Sequence, residues 1–269
     1  MYGGSTGGWI ALAQLVFYPH VFGLCIANAP DPVDFHALGT LDLYDAGNEQ
    51  NAYLVGRPSK GPRTRMGAPA ASSAGVQAFK RTYRVDMRDY LDRALTTSAD
   101  VNALELAMGS HSRSGGQYDI WQAVFSPVGS DGYPEPIWDK ANGAINMSVA
   151  EYWRAHYDLA NHVHEHWPSL GPLLTGKIRV NVGMSDAFFL NNAVYRLQNA
   201  LDRVQQPPAR ASFRYGTSGG RGYSHAWSGD NSSSMRVNDL TLHQRLVAEA
   251  VDHMLATAPS GADTISWRY

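Results

Sequence analysis

Ser5, Asp186 and His225 are the three residues of this chain whose types and order suit acyl-transfer chemistry. A serine hydroxyl attacks a carbonyl carbon, a histidine takes its proton, and a carboxylate orients the imidazole and stabilises its charged form. Ser5 stands in the run Gly3-Gly4-Ser5-Thr6-Gly7-Gly8-Trp9, which opens directly into the apolar segment Ile10 to Phe17. Small residues on both sides permit a tight, strained turn, and a helix starting there presents its positive dipole end to developing negative charge. The plain alternative is a glycine-rich turn capped by Ser5 or Thr6.

Elements that could position these residues are legible nearby. The apolar segment after Ser5 reads as a helix ending near Pro19, and residues 23–29 as a short buried strand. Residues 178–183 read as a second strand, directly followed by Met184-Ser185-Asp186. A helical pattern from Leu190 to Val204 and a strand from Ala211 to Tyr215 precede the loop 216–225 that carries His225. Its Gly219-Gly220-Arg221-Gly222 run reads as mobile. With only these three strands evident, the sequence predicts a short parallel sheet that lacks the strand normally leading into Ser5.

The segment from about Asp31 to Gly176 is far longer than a usual connection and reads as an insertion. Residues 56–75 are loop-like. Val76 to Thr96 carries apolar residues near helical spacing, and Ala99 to Met108 reads as helix. Ser148 to Trp167 is predicted to be one helix, capped by Ser148 with Glu151 three residues later and stopped by Pro168.

In this order the chain resembles the later part of an α/β-hydrolase of the esterase D-like group. The resemblance is carried by Gly3 to Trp9, Pro30-Asp31-Pro32-Val33-Asp34-Phe35, Gly176-Lys177-Ile178 to Asp186 with Phe188-Phe189-Leu190, and Ser224-His225-Ala226-Trp227. It implies an α/β fold, an incomplete α/β-hydrolase with its N-terminal strands missing and a long, largely helical insertion. By the same resemblance Ser5, Asp186 and His225 form the triad, and the Thr6 backbone N–H is an oxyanion donor. Residues 1–35 and 176–258 would form the partial core, 36–175 a cap or substrate-binding region, and 259–269 a tail. The implied activity is hydrolysis of a small-molecule or glycan-linked carboxylic ester without a cofactor, impaired by the missing strands. A peptidase or acyltransferase on the same fold, and a non-catalytic binding module, are the competing readings. The open sheet edge expected here predicts self-association and poor solubility.

Composition sets outer bounds. Of 269 residues, 44% are hydrophobic and 17% charged, enough to bury a sizeable core. The formal net charge of −2 gives no field for nucleic acid or anionic membranes. No apolar run is long enough to span a bilayer. The single Cys25 excludes an internal disulfide, and the compartment stays unassigned because a targeting signal would be lost with the missing front. His162 and His166 share a helical face, but the zinc-protease order is absent and no metal site is predicted. Asp158 is a reserve acid ranked below Asp186 because no strand precedes it. Trp121, Trp227 and His111 are the candidate substrate contacts.

Overall fold

The structure is a computed structural model that describes residues 1–45, 51–55, 83–218, 221–225, 227, 229 and 239–266. Among these, a five-stranded sheet runs in the order β1-β2-β5-β6-β7. Its strands are β1 (Tyr2–Gly4), β2 (Cys25–Asn28), β5 (Ile178–Gly183), β6 (Ser212–Ser218) and β7 (Arg221–Gly222). The pairs β1–β2, β2–β5 and β5–β6 are parallel, and β7 returns antiparallel on β6. The protein is therefore α/β with a mostly parallel central sheet, and seven α-helices are present among the described residues.

Alternation along the strands explains how the sheet is covered. Cys25 and Ala27 of β2, with Ile178, Val180 and Val182 of β5, enter the main core beside α1 (Thr6–Phe17) and α6 (Leu190–Arg203). Leu24 and Ile26 instead meet Leu246 of α7 (Asp239–Thr257). Glu249 of α7 bridges Arg179 and Arg214 on the same face, at 2.7 Å to each. A parallel sheet needs both faces covered, and these helices supply the cover.

Among the described residues between β2 and β5 lie a hairpin, β3 (Val85–Arg88) and β4 (Ala94–Thr97), and four α-helices: α2 (Ser98–Met108), α3 (Gln117–Phe125), α4 (Met147–Tyr157) and α5 (Leu159–Leu174). One apolar cluster continues from α1 through Trp121, Trp153 and Trp167 to α6, so this region packs into the same core as the sheet.

Several expectations change. A strand does lead into Ser5: β1 pairs with β2 over three residues, and its small glycines hid it from a reading based on apolar runs. The helical spacing read over 76–96 gives way, where described, to the β3–β4 hairpin. There the Asp89 carboxylate accepts from the N–H groups of Leu91 and Arg93, and Asp92 takes a positive φ of 67°, which closes the turn. Residues 56–82 lie outside the described ones. The single helix over 148–167 is two helices. Asp158, at φ −74° and ψ 100°, leaves helical geometry, and its side chain accepts from Asn161 N–H at the start of α5. Asn146, not Ser148, caps α4. Pro168 does not stop α5, because it and His164, the residue four before it, lie on the solvent face. No helix among the described residues is long and apolar enough to cross a membrane.

Candidate active site

Ser5 sits between β1 and α1 with φ 55° and ψ −126°, a backbone region that non-glycine residues rarely adopt. Holding a residue there costs on the order of 1–3 kcal/mol and needs firm surroundings. The surroundings are specific: Ser5 N–H donates to Asn28 O at 2.9 Å, and Ser5 O accepts from Gly8 N–H at 2.8 Å and Asp31 N–H at 3.2 Å. A side chain at Gly3 would place its Cβ 2.1 Å from the Gly7 carbonyl oxygen, so the turn closes only because that position is glycine. Thr6 N–H stands in the first turn of α1, where helix N–H groups lack in-helix acceptors.

Asp31 joins the Ser5 turn, although its residue pattern alone carries no role. It follows β2 at the carboxyl end of the parallel sheet, a place where α/β proteins put functional groups, and that position was the available signal. Its buried carboxylate accepts from Ser5 Oγ at 3.4 Å, from Thr6 Oγ1 at 2.7 Å and from Trp121 Nε1 at 2.9 Å. Trp121 thereby joins α3 to the Ser5 turn.

Asp186 follows β5 and is fully buried. Its Oδ2 meets His225 Nδ1 at 2.9 Å, while Oδ1 accepts from Phe188 N–H at 2.9 Å and Leu190 N–H at 3.2 Å. The last donor begins α6, whose dipole favours an anion there. Buried Arg88 braces the loop from behind, donating through Nε to Asp186 O at 2.9 Å and through Nη2 to Asn191 Oδ1 at 3.0 Å. Arg88 lies in a stretch whose spacing predicts a helix, so nothing local places it near Asp186. Donation of Nδ1–H to Asp186 makes Nε2 the basic nitrogen of His225.

Contacts with β6 and with the end of β5 hold the His225 loop. Tyr223 N–H donates to Gly216 O at 3.0 Å and Ser185 N–H to Tyr223 O at 2.9 Å. A Cβ at Gly183 would lie 2.1 Å from Tyr223 O, so the loop crosses directly over the end of β5. Of the run read as mobile, Gly219 and Gly220 lie outside the described residues, and Arg221–Gly222 forms β7. The Phe188 ring stands edge-on to the imidazole, with centroids 5.2 Å apart.

The remaining candidates separate. Trp227 is buried against Gly216 of β6. His111 packs on Tyr133 and lines a different cleft of about 800 Å³, with Lys140 and Trp138. His162 and His166 do share a face, their rings stacked at 4.4 Å, and His166 Nδ1 is engaged by His162 O. Among the described residues no group of three or more His, Cys, Asp or Glu could hold a metal ion. Asp158 is fully buried and accepts from Phe35 N–H at 2.9 Å and Tyr44 Oη at 3.0 Å. Burial, with Asp34 nearby, raises its pKa from 3.8 to about 6. Its partners make it a joint between α4, α5 and the Phe35 segment. No family model matches the chain, and no curated protein or solved structure matches it either.

Proposed function

We propose that the protein is a serine hydrolase acting on carboxylic esters, built on a partial α/β-hydrolase sheet with residues 36–175 as a largely helical insertion. The observation that carries this reading is the strained backbone of Ser5 at a strand-to-helix junction, at the same carboxyl end of the parallel strands as buried Asp186 and its half-buried partner His225. A structural serine has no need of that conformation; a nucleophile does, because it lifts the hydroxyl clear of its own backbone.

In the reaction, the Ser5 hydroxyl leaves Asp31 and gives its proton to His225 Nε2 as Oγ bonds to the ester carbonyl carbon. Thr6 N–H binds the oxyanion, a donor worth about 2.7–4 kcal/mol in comparable sites. The imidazolium, stabilised by Asp186, returns the proton to the departing alcohol, leaving an acyl-serine. Water then attacks the acyl carbon with His225 as base, and the acid departs. The chemistry calls for no cofactor.

Fluorophosphonate labelling tests the proposal directly. Wild type is expected to be labelled and to hydrolyse 4-nitrophenyl acetate, and Ser5→Ala to do neither. Equal labelling of both proteins, or none of wild type, overturns it.

A further inference from the structure

A cavity of about 120 Å³ shares two of its lining residues with the surroundings of the site. One wall is Trp121, whose Nε1 donates to Asp31 beside Ser5; another is Phe188, whose ring meets His225 edge-on. Leu38, Met87 and Val101 supply further apolar surface. An apolar cavity of about 150 Å³ accepts benzene, so this one suits a group of about that size or slightly smaller.

Among the described residues, Asp86 of β3 is the only carboxylate lining the cavity. Tyr118 Oη donates to its Oδ1, while Oδ2 has no hydrogen-bond partner among the described residues. The side chain is half-buried, and burial raises its pKa. A half-satisfied carboxylate in an apolar wall favours a ligand that brings its own donor.

We propose that this cavity is a substrate subsite for a short apolar or aryl group ending in a hydrogen-bond donor such as a hydroxyl, received by Asp86. The proposal rests on the hydrolase reading for its catalytic consequence, though not for the binding itself. Selectivity follows from the unpaired oxygen: an isostere without the donor leaves Asp86 desolvated and unsatisfied, and a site built to bind a hydroxyl rejects such analogues strongly.

The test has a binding arm and a catalytic arm. In Ser5→Ala protein, calorimetric titration with phenol and with benzene is expected to show phenol binding tighter by about tenfold or more, the range for a hydrogen bond to a charged group. In wild type, kcat/KM for methyl 4-hydroxyphenylacetate is expected to exceed that for methyl phenylacetate by a similar factor, since the methylene insulates the ester from the hydroxyl.

The double variant Asp86→Leu with Tyr118→Phe removes both members of that hydrogen bond and, in protein whose circular dichroism spectrum matches wild type, is expected to bring both ratios close to one. Val101→Phe, which fills the cavity, is expected to abolish binding of both probes. Equal binding of phenol and benzene, or a preference that survives the double variant, overturns the subsite. Phenol preference without any ester hydrolysis supports the subsite and removes the hydrolase reading instead.

Discussion

Asp186 Oδ2 and His225 Nδ1 meet at 2.9 Å although 39 residues separate them in the chain. The contact depends on two loops at the ends of neighbouring parallel strands, β5 and β6, one braced by Arg88 and the other laid across Gly183. Asp186→Asn keeps the shape of this contact but loses the charge that stabilises the imidazolium and selects the tautomer. The expected outcome is a fall of about 10³- to 10⁴-fold in kcat for ester hydrolysis with an unchanged circular dichroism spectrum. Activity within threefold of wild type, about 0.7 kcal/mol on the barrier, would show that Asp186 is structural.

Gly183→Ala addresses the loop rather than the pair. Its Cβ would lie 2.1 Å from Tyr223 O and 2.5 Å from Ser224 O, both backbone atoms, so the turn carrying His225 must shift. A displacement of roughly 1 Å at a catalytic group costs about 10²-fold in rate. Gly23→Ala, whose Cβ would meet nothing within 4 Å, serves as control and is expected to retain wild-type turnover. Similar kcat for the two variants would contradict the assigned role of the loop.

Thr6 separates a side-chain role from a backbone one. Thr6→Val removes the hydroxyl that donates to buried Asp31 at 2.7 Å but keeps the N–H proposed to bind the oxyanion. Denaturant titration is expected to show a loss of about 1–3 kcal/mol, the penalty for an under-satisfied buried polar group. Fluorophosphonate labelling of the variant persists. Loss of labelling in a folded variant would place the hydroxyl itself in the chemistry.

Asp158 gives a pH signature. Its pKa rises on folding from 3.8 to about 6, so the native state holds this proton more tightly than the unfolded chain. The associated stability is fully present below about pH 4 and is lost as pH rises to about 6 and beyond; it amounts to about 3 kcal/mol at most. Asp158→Asn, which mimics the protonated acid, is expected to lack this component. Urea unfolding of both proteins at intervals from pH 4 to 7 should therefore show the difference in stability, wild type minus variant, falling over that window. A difference that stays flat across it would exclude Asp158 as the source.

Local chemistry made part of this protein readable from its residue order. The glycines around Ser5 announce a tight turn whatever lies around it, because only a residue without Cβ fits 2.1 Å from a carbonyl oxygen. A short run buried along its whole length marked β2, and alternation of apolar with polar residues marked β5 and β6. The Ser, Asp, His order gave three candidates, and two of them meet.

Long-range packing decided the rest. Asp158 and Asp186 are both buried carboxylates; only the folded chain shows that one is enclosed by Phe35, Tyr44 and Asn161 and the other by His225. The hairpin at 85–97 prevailed over an apparent helical spacing because Arg88 from that strand anchors the Asp186 loop, a contact across 98 residues that no local pattern encodes. Asp31 acquired its place by meeting Trp121 from 90 residues away. The sequence by itself determined the turn and the strand ends that can present functional groups. Which of those groups touch was decided by tertiary structure, because burial leaves each polar atom only the partners that packing brings to it.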